Sequence, residues 1–436
     1  MSDAPTSHVP FRVACRYWLR LGLLSFGGPA GQIALMHREL VEEKRWMSEA
    51  RFLHALNYCM LLPGPEAQQL ATYIGWLMHR TAGGVVAGAL FVLPSFALIV
   101  ALAWLYVRHG DVPWIAALFE GLQPAVVALV AHAAVRIGRR TLRNAALAAI
   151  ALAAWIAIAA LHVPFPAIVL AAAAVGFCGA RLVPELFSAS VADANPDDVE
   201  RTCQRPPHTR FQRRRLVWIL VAGLGLWIMP MTALVAWHGW QGQYAQLGWF
   251  FSKAALVTFG GAYAVLPYVY QGAVLHYGWV SAAQMIDGLA LGETTPGPLI
   301  MIVTFVGFIA GYESGPFAGT SPLASGLVAA GIATWFTFLP SFVFILGGGP
   351  WVESTHGDTR FAAPLTAIGA AVVGVIANLA VFFAGHTFQR DGTLDPVAIG
   401  IAIGAFLALQ GLRAGAVPVL LGCGALGVLR AWWMGG

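Results

Sequence analysis

Two Pro-Gly-Pro triplets interrupt apolar stretches of this 436-residue chain, at 63–65 in "LLPGPEAQQLATY" and at 296–298 in "TTPGPLIMIVTF". A proline inside a helix removes a hydrogen bond and costs roughly 3 kcal/mol. Each stretch is therefore predicted to form two half-helices, the second of which begins after Pro65 or Pro298. The free amides and dipole at such a helix start bind anions without a basic side chain, and glycine at 64 and 297 lets a ligand approach the backbone.

Two basic residues could complete an anion site at these breaks. Arg20 and Lys253 each lie seven residues before a Gly-Gly pair, at 27–28 and 260–261, so each cation shares a helix face with its glycines. A charge inside a membrane span costs at least roughly 2.5 kcal/mol on insertion scales, which favours a functional role. The alternative is that the side chain extends to the membrane interface, which suits Arg20 better than Lys253.

The other candidate contacts are small or polar residues beside the interruptions. The full predicted substrate-binding set is Arg20, Ser25, Gly27, Gly28, Pro63, Gly64, Pro65, Gln68, Lys253, Thr258, Gly260, Gly261, Thr294, Thr295, Pro296, Gly297 and Pro298. Glu66, Asp287 and Glu293 are predicted proton carriers, because a carboxylate beside a bound dianion is protonated or repelled. The alternative for Glu66 is that it offsets the helix dipole.

The elements that hold these residues are predicted to be membrane helices. The chain is 58% hydrophobic and 10% charged, with a mean hydropathy of +0.72, whereas soluble proteins have about 25% charged residues. Charge-free runs such as 82–107 exceed the roughly 20 residues that a helix needs to span a bilayer. Long continuous apolar segments predict an all-α integral membrane protein and not a β-barrel.

Charge and cysteine usage exclude several other classes. The net charge of +5 is concentrated beside apolar segments, at 136–143 and 205–215, which is typical of cytoplasmic loops and indicates lipid contact without a nucleic-acid partner. The five cysteines include no C-x-x-C pair, so neither a metal site nor a disulfide framework is predicted. No cofactor motif and no catalytic residue is predicted, and the arginine-rich N-terminus is expected to be retained.

The chain repeats itself. Aligning Pro63 with Pro296 gives an offset of 233 residues, which also superimposes "LRLGLLSFGGPA" (19–30) on "SKAALVTFGGAY" (252–263). "FVLPSF" (91–96) matches "TFLPSF" (337–342) at an offset of 246. "PAVVALV" (124–130) matches "AAVVGVI" (370–376) at the same offset, and these four motifs in the same order indicate duplication. The predicted units are a first transporter repeat at 1–180, a polar linker with a joining transmembrane helix at 181–244, and a second repeat at 245–436.

The relative orientation of the two copies depends on the number of membrane crossings. Each copy contains six apolar segments, and with the joining helix the prediction is thirteen crossings, which inverts the second copy. Inverted repeats are a recurrent transporter architecture with a site near the midplane. If the Pro-Gly-Pro segments instead dip into the membrane and return, the parity changes and the copies are parallel. Crossing segments would also place 37–51, which carries four basic and four acidic residues, outside the cell.

The motif residues resemble a known family. "FGGP", "RWMSEARFLHALNYCMLLPGPEAQQLATYIGW" and the second copy's "FGG" and "TTPGP" resemble the long-chain, two-domain members of the chromate ion transporter family. The resemblance implies a secondary transporter of the bacterial inner membrane that exports chromate and confers chromate resistance. Sulfate is a second implied substrate. The second copy departs from the first at Leu299, which stands opposite Glu66, and in its nearly uncharged loop 270–284.

The alternatives left open are a proton-coupled carrier for sulfate or another oxyanion, a channel, and an integral-membrane enzyme. The absence of dinucleotide and haem or iron–sulfur motifs argues against the enzyme. A homodimer is also left open.

Overall fold

The computed structural model describes residues 9–26, 28–183, 186, 209, 211–259, 261–314, 321–352, 362–390, 392–412 and 414–435. Two predicted site residues, Gly27 and Gly260, lie outside these ranges. The first copy contains α1 (Phe11–Leu24), α2 (Gly28–His37, continued by the π-helix Arg38–Glu43), α3 (Glu49–Leu61), α4 (Glu66–His109), α5 (Pro113–Thr141), α6 (Ala145–Ala159) and α7 (Phe165–Leu182).

The joining helix and the second copy follow in the same order. They are α8 (Arg213–His238), α9 (Gln243–Val257), α10 (Ala262–Val269, continued by the π-helix Tyr270–His276), α11 (Ala282–Thr294), the 3-10 turn Leu299–Met301, α12 (Ile302–Ser314), α13 (Pro322–Val352), α14 (Ala362–Thr387), α15 (Pro396–Gln410) and α16 (Ala416–Gly435). A short antiparallel pair, β1 (Gln389–Arg390) and β2 (Thr393–Leu394), precedes α15. The prediction of an all-α, duplicated membrane protein is confirmed.

Helix α4 is two arms joined by a sharp turn. His79 and Arg80 leave the helical conformation, with φ of −136° and 58°. The arms 66–78 and 81–109 then pack against each other through small residues, since a Cβ built on Gly75 would lie 2.5 Å from the Cβ of Ala87. Glycine and alanine allow such close helix approach inside a membrane. The first arm therefore returns toward the side from which α3 came.

Both Pro-Gly-Pro segments form hairpins and do not cross the membrane. The rings of Tyr58 and Tyr73 are 5.5 Å apart across the first triplet, whereas fifteen residues of continuous helix would separate them by about 22 Å. In the second copy a Cβ on Gly288 would lie 2.4 Å from Phe305 Cδ1. The two half-helices of each copy are thus antiparallel, and the triplet forms the tip between them.

The Gly-Gly segments fold back in the same way. The rings of Tyr17 in α1 and Trp46 after α2 are 5.2 Å apart, and Phe250 in α9 stacks on Tyr268 in α10 at 4.8 Å. Each copy therefore contributes two re-entrant hairpins, and the prediction of thirteen crossings is wrong. Among the described helices, four per copy remain as crossings: the second arm of α4 with α5, α6 and α7, and α13 to α16.

The copies are inverted. Helices α5 and α14 occupy equivalent positions of the two repeats and pack antiparallel: a Cβ on Gly138 would lie 3.3 Å from Val373, and a Cβ on Gly369 would lie 3.3 Å from Thr141. Equivalent helices that run in opposite directions are related by an axis in the membrane plane. The orientation depends on whether an odd or even number of crossings separates equivalent points of the two copies. One re-entrant segment per copy would make this number even and the copies parallel, whereas two make it odd and the copies inverted.

The same symmetry governs the core. Helix α5 of the first copy packs against α14, α15 and α16 of the second, while α14 packs against α6 and α7 of the first. Seven described helices are long and apolar enough to span a membrane, and α6 and α15 are shorter apolar helices. The helices of the two repeats therefore pack against each other in a shared core, and the hairpin tips of the two repeats are in contact.

Candidate functional site at the hairpin tips

The tips of the four hairpins meet across the repeat interface. The amide of Gly64 donates to the carbonyl oxygen of Thr258, and the amide of Gly297 donates to that of Ser25, both at 2.8 Å. We call these two hydrogen bonds the clasp. Each copy's Pro-Gly-Pro tip is thus bound to the residue two positions before the other copy's Gly-Gly pair. Carbonyl oxygens thus accept the amide protons of both glycines, while anion binding at the helix starts after Pro65 and Pro298 stays a prediction.

Glycine is required in the clasp for two reasons. Gly64 and Gly297 have φ of +127° and +108°, a region that side-chain-bearing residues rarely adopt. A Cβ on Gly64 would lie 2.5 Å from Ser341 Oγ, and one on Gly297 would lie 2.4 Å from Ser95 Cβ. Ser95 and Ser341 are the matched serines of the "LPSF" motifs. The missing Cβ therefore admits the opposite repeat, and not a ligand as the sequence had suggested.

Two glutamines brace the clasp from the first copy. Gln32 Nε2 donates to the carbonyl oxygens of Gly297 and Ser25, at 2.5 and 3.3 Å. Gln69 Nε2 donates to the carbonyl oxygen of Pro63 at 2.7 Å and to Ser341 Oγ at 3.4 Å. Sequence reasoning missed Gln32. Its signal was an amide inside the apolar run "GQIALM" that aligns with Val265 of the second copy.

Several buried polar atoms of the first copy have no hydrogen-bond partner. Around the clasp, within the described residues, they are Ser25 Oγ, Gln32 Oε1, Gln68 Oε1, Gln69 Oε1 and Ser95 Oγ. In the second copy, by contrast, Thr258 Oγ1 donates to Ala254 O at 2.6 Å, and the residues aligned with the three glutamines are apolar. Buried polar groups are normally paired. The unpartnered atoms therefore mark the side of the clasp on which a polar ligand would form the most new hydrogen bonds.

Two of the predicted proton carriers lie beside the second copy's Gly-Gly loop. Glu66 begins α4, and its Oε1 is 3.8 Å from the position that a Cβ on Gly261 would occupy. Glu293 is buried in the last turn of α11 and accepts a hydrogen bond from the hydroxyl of Tyr263. The two carboxyl groups thus approach Gly261 and the first turn of α10 from different hairpins.

Asp287 belongs to a different region. It lies toward the opposite end of α11 and accepts hydrogen bonds from Tyr106 Oη at 2.9 Å and Gln123 Nε2 at 3.0 Å. It lines a cavity of about 370 Å³ together with Asp111, Glu120 and Glu313. The structure therefore does not bring Asp287 to the hairpin tips.

The two predicted cations contact groups away from the tips. Arg20 has a side chain that is 59% exposed, and its Nη2 lies 3.6 Å from Glu39 Oε1. Lys253 Nζ lies 5.5 Å from the ring centroid of Trp249, which is itself partly exposed. Both contacts suit the interfacial alternative considered for these residues. A clasp site for an anion therefore depends on hydroxyl and amide groups.

The remaining predicted residues are at the tips, and several have their polar atoms engaged. Thr294 Oγ1 donates to Ala290 O and Thr295 Oγ1 to Gly292 O, while Pro296 and Pro298 are buried. Gly28 differs, since no atom lies within 4 Å of a Cβ built there. The open space beside Gly28 shows where the first copy's tip is least enclosed.

Inverted repeats whose broken, re-entrant hairpins meet inside a helical membrane bundle define a secondary-transporter architecture. The family model for chromate transporters matches residues 14–177 and 245–428, one region in each copy, and the chain belongs to this family. It is a multi-pass bacterial membrane protein.

Named relatives extend over most of the chain. A chromate transport protein of Pseudomonas aeruginosa is 34% identical over 98% of this chain and 95% of its own length. Another, from Cupriavidus metallidurans, is 29% identical over 92% of this chain and 88% of its own. A probable chromate transport protein of Synechococcus elongatus is 29% identical over 84% of this chain and 82% of its own. No solved structure matches the chain.

Proposed function

We propose that the protein exports chromate from the cytoplasm and thereby confers chromate resistance. The observation that carries this proposal is the clasp, in which the two inverted copies meet through hairpin tips that enter from opposite membrane faces. The names of the relatives supply the substrate. The clasp supplies the means, because each of its two hydrogen bonds holds a tip from one side against a loop from the other.

The mechanism follows from this arrangement. Separation of the Gly297–Ser25 bond would uncover the first copy's Gly-Gly tip, whereas separation of the Gly64–Thr258 bond would uncover that of the second copy. A substrate that enters between parted tips at one face would leave at the other after the clasp closes behind it. Glycine at the tips permits this movement, because it adopts positive and negative φ at little cost.

The charge distribution supports a cytoplasmic N-terminus. The N-terminal arginines, the end of α5 at Arg139 and Arg140, and the start of α8 at 213–215 fall on one membrane face. Because both hairpins of the first copy return to the face from which they enter, 37–51 lies on that face as well. Crossing segments would have exported this loop. The re-entrant fold thus removes an exception to the rule that basic loops stay in the cytoplasm.

The membrane potential supplies a direction. An interior-negative potential is worth about 2.3 kcal/mol per charge per 100 mV, so at 100 mV an anion that leaves the cell gains roughly 4.6 kcal/mol as a dianion and about 2.3 kcal/mol as a singly protonated monoanion. Export needs no coupled ion. Import of sulfate or another oxyanion would need co-transported protons. Glu66 and Glu293, which lie beside Gly261 and the first turn of α10, are the proposed proton carriers.

Everted membrane vesicles test the proposal. Vesicles that contain the protein should accumulate labelled chromate under an inside-positive potential, and uptake should saturate with concentration, as expected of a carrier and not a channel. Vesicles without the protein are the control. Accumulation that requires a proton gradient and not the potential would favour the proton-coupled alternative. Reduction of chromate by the purified protein and an electron donor would favour an enzyme.

A further inference from the structure

Three residues that adjoin Gly297 in the clasp each carry an unpartnered side-chain oxygen atom. Ser25 accepts the amide proton of Gly297 through its carbonyl oxygen. Gln32 donates to the carbonyl oxygen of Gly297, and Ser95 lies within 2.6 Å of a Cβ built on Gly297. All three side chains are at most 1% exposed, and Ser25 Oγ, Gln32 Oε1 and Ser95 Oγ have no hydrogen-bond partner.

The chemical role of the Gln32 oxygen is fixed by its own amide. An Asn or Gln side chain can usually turn over, which exchanges its donor and acceptor. Gln32 cannot, because its Nε2 donates to two backbone carbonyl oxygens, which only accept. The Oε1 atom is therefore held as an acceptor. It needs a ligand that donates a proton, whereas the hydroxyls of Ser25 and Ser95 supply protons to a ligand that accepts them.

A fully deprotonated tetrahedral oxyanion has only acceptor oxygens and would leave Gln32 Oε1 buried and repelled. A singly protonated oxyanion satisfies all three groups: its hydroxyl donates to Gln32 Oε1, and its other oxygens accept from Ser25 and Ser95. Hydrogen chromate loses its proton near neutral pH, while hydrogen sulfate and hydrogen selenate lose theirs in strong acid. Sites that hydrogen-bond a hydroxyl strongly reject an analogue that lacks it.

We propose that the pocket formed by Ser25, Gln32 and Ser95 selects a singly protonated tetrahedral oxyanion, and that Gln32 is the residue that distinguishes chromate from sulfate. This inference rests on the proposed function, and it assigns the selectivity of the same site. The first copy alone carries the pocket, because Val265 replaces Gln32 in the second. The two copies thus share the clasp but differ in ligand recognition.

Selenate is the matched probe, because it resembles chromate in size, shape and full charge but stays unprotonated. We expect chromate uptake into proteoliposomes to be inhibited by unlabelled chromate at least about tenfold more strongly than by selenate or sulfate, below the pKa of hydrogen chromate. Above that pKa the preference should fall by about tenfold per pH unit, as the protonated fraction does. Phosphate, which is protonated at neutral pH, should inhibit more than selenate.

The ratio of chromate to selenate inhibition distinguishes protonation of the ligand from protonation of groups on the protein. The charged groups on the neighbouring elements are Arg20 on α1, Glu39 after α2, Glu66 on α4 and Glu293 on α11. Titration of any of these groups acts on both ions through their charges, and it continues in a variant that lacks only the Gln32 amide. A change of the ratio with pH that is present in the wild type and absent in Gln32→Met therefore reports the protonation of the ligand in its pocket.

Two variants complete the test. Gln32→Met should bring the chromate-to-selenate ratio close to one and remove its pH dependence. Gln69→Met is the matched control. It also removes a side-chain amide that supports the clasp, but this amide lies beside Gly64 and not Gly297. The variant should therefore lower the rate of chromate uptake and retain the chromate-to-selenate ratio. Equal inhibition by chromate and selenate in the wild type, or an unchanged ratio in Gln32→Met, would overturn this inference alone. Absence of any chromate flux would overturn the proposed function as well.

Discussion

The hairpin tips of the first copy and those of the second make the same backbone hydrogen bond but are surrounded by different side chains. Gly64 and Gly297 both have a positive φ, a close approach to a serine and a backbone carbonyl oxygen as partner. The side chains around them differ: in the alignment of the two copies, the second copy has Val265, Ile302 and Leu299 where the first has Gln32, Gln69 and Glu66. Duplication has thus retained the backbone contact that joins the copies.

This difference separates two tasks. A gate that works from both membrane faces needs two equivalent contacts, and the clasp supplies them through backbone atoms that most substitutions leave unchanged. Recognition of one substrate needs one pocket. Buried polar side chains on one copy are sufficient for it, and a second polar set would add desolvation cost without a second ligand to offset it. The asymmetry is therefore expected of a single-site carrier.

The largest expected effect comes from filling the clasp. Gly297→Ala should abolish chromate transport, because its methyl group meets Ser95 and its φ is unfavourable, at about 1–3 kcal/mol for each cause. Gly64→Ala should do the same through Ser341. The measurement is vesicle uptake at matched protein levels.

A control separates the two causes. Gly28 also has a positive φ, of +70°, but no atom lies within 4 Å of a Cβ built there, so Gly28→Ala should retain more activity than Gly297→Ala. Adding Ser341→Gly to Gly64→Ala should restore part of the activity, because Ser341 meets the new methyl group and lies outside the pocket of Ser25, Gln32 and Ser95. Wild-type uptake in Gly297→Ala would contradict the clasp.

An intermediate effect is expected when the first copy is made to resemble the second. Gln69→Ile removes the donor to the carbonyl oxygen of Pro63 and leaves a buried backbone acceptor unpaired, which costs about 1–3 kcal/mol. The thermal unfolding midpoint in detergent should fall accordingly. Gln68→Met is the comparison, because Gln68 Nε2 donates to Thr72 Oγ1 within its own helix and not to the clasp. An equal loss in both variants would show that Gln69 braces only its own helix.

How much of this could be predicted from the sequence depends on where each residue acts. The duplication, the membrane class and the importance of the paired triplets follow from local motifs, because a proline or glycine changes the backbone wherever it stands. The hairpins did not follow, since 52–78 is long enough to span and nothing local distinguishes a return from a crossing. Gln32 was missed because its value comes from Gly297, 265 residues away. For Arg20 and Lys253, helical spacing gives the shared helix face but not the neighbours, which are Glu39 and Trp249.

The smallest effects are expected for Arg20 and Lys253, which occupy matching positions of the two copies. The sequence favoured both as anion ligands, but Arg20 contacts Glu39 with a mostly exposed side chain, and Lys253 lies over Trp249. Exposed ion pairs are worth about 0–1 kcal/mol and exposed cation–π contacts about 0.5–1 kcal/mol. Arg20→Ala and Lys253→Ala should therefore change the chromate concentration for half-maximal uptake by no more than about fivefold, which corresponds to about 1 kcal/mol.

Arg20→Gln and Lys253→Gln are the matched controls, because they keep most of the side chain without its charge. If the alanine and glutamine variants behave alike and stay within that limit, charge at these positions contributes little to substrate affinity. A larger loss confined to one of the two would mean that the clasp, when it opens, exposes the ligand to that cation alone. The asymmetry between the copies would then extend from the buried glutamines to the charges at the interface.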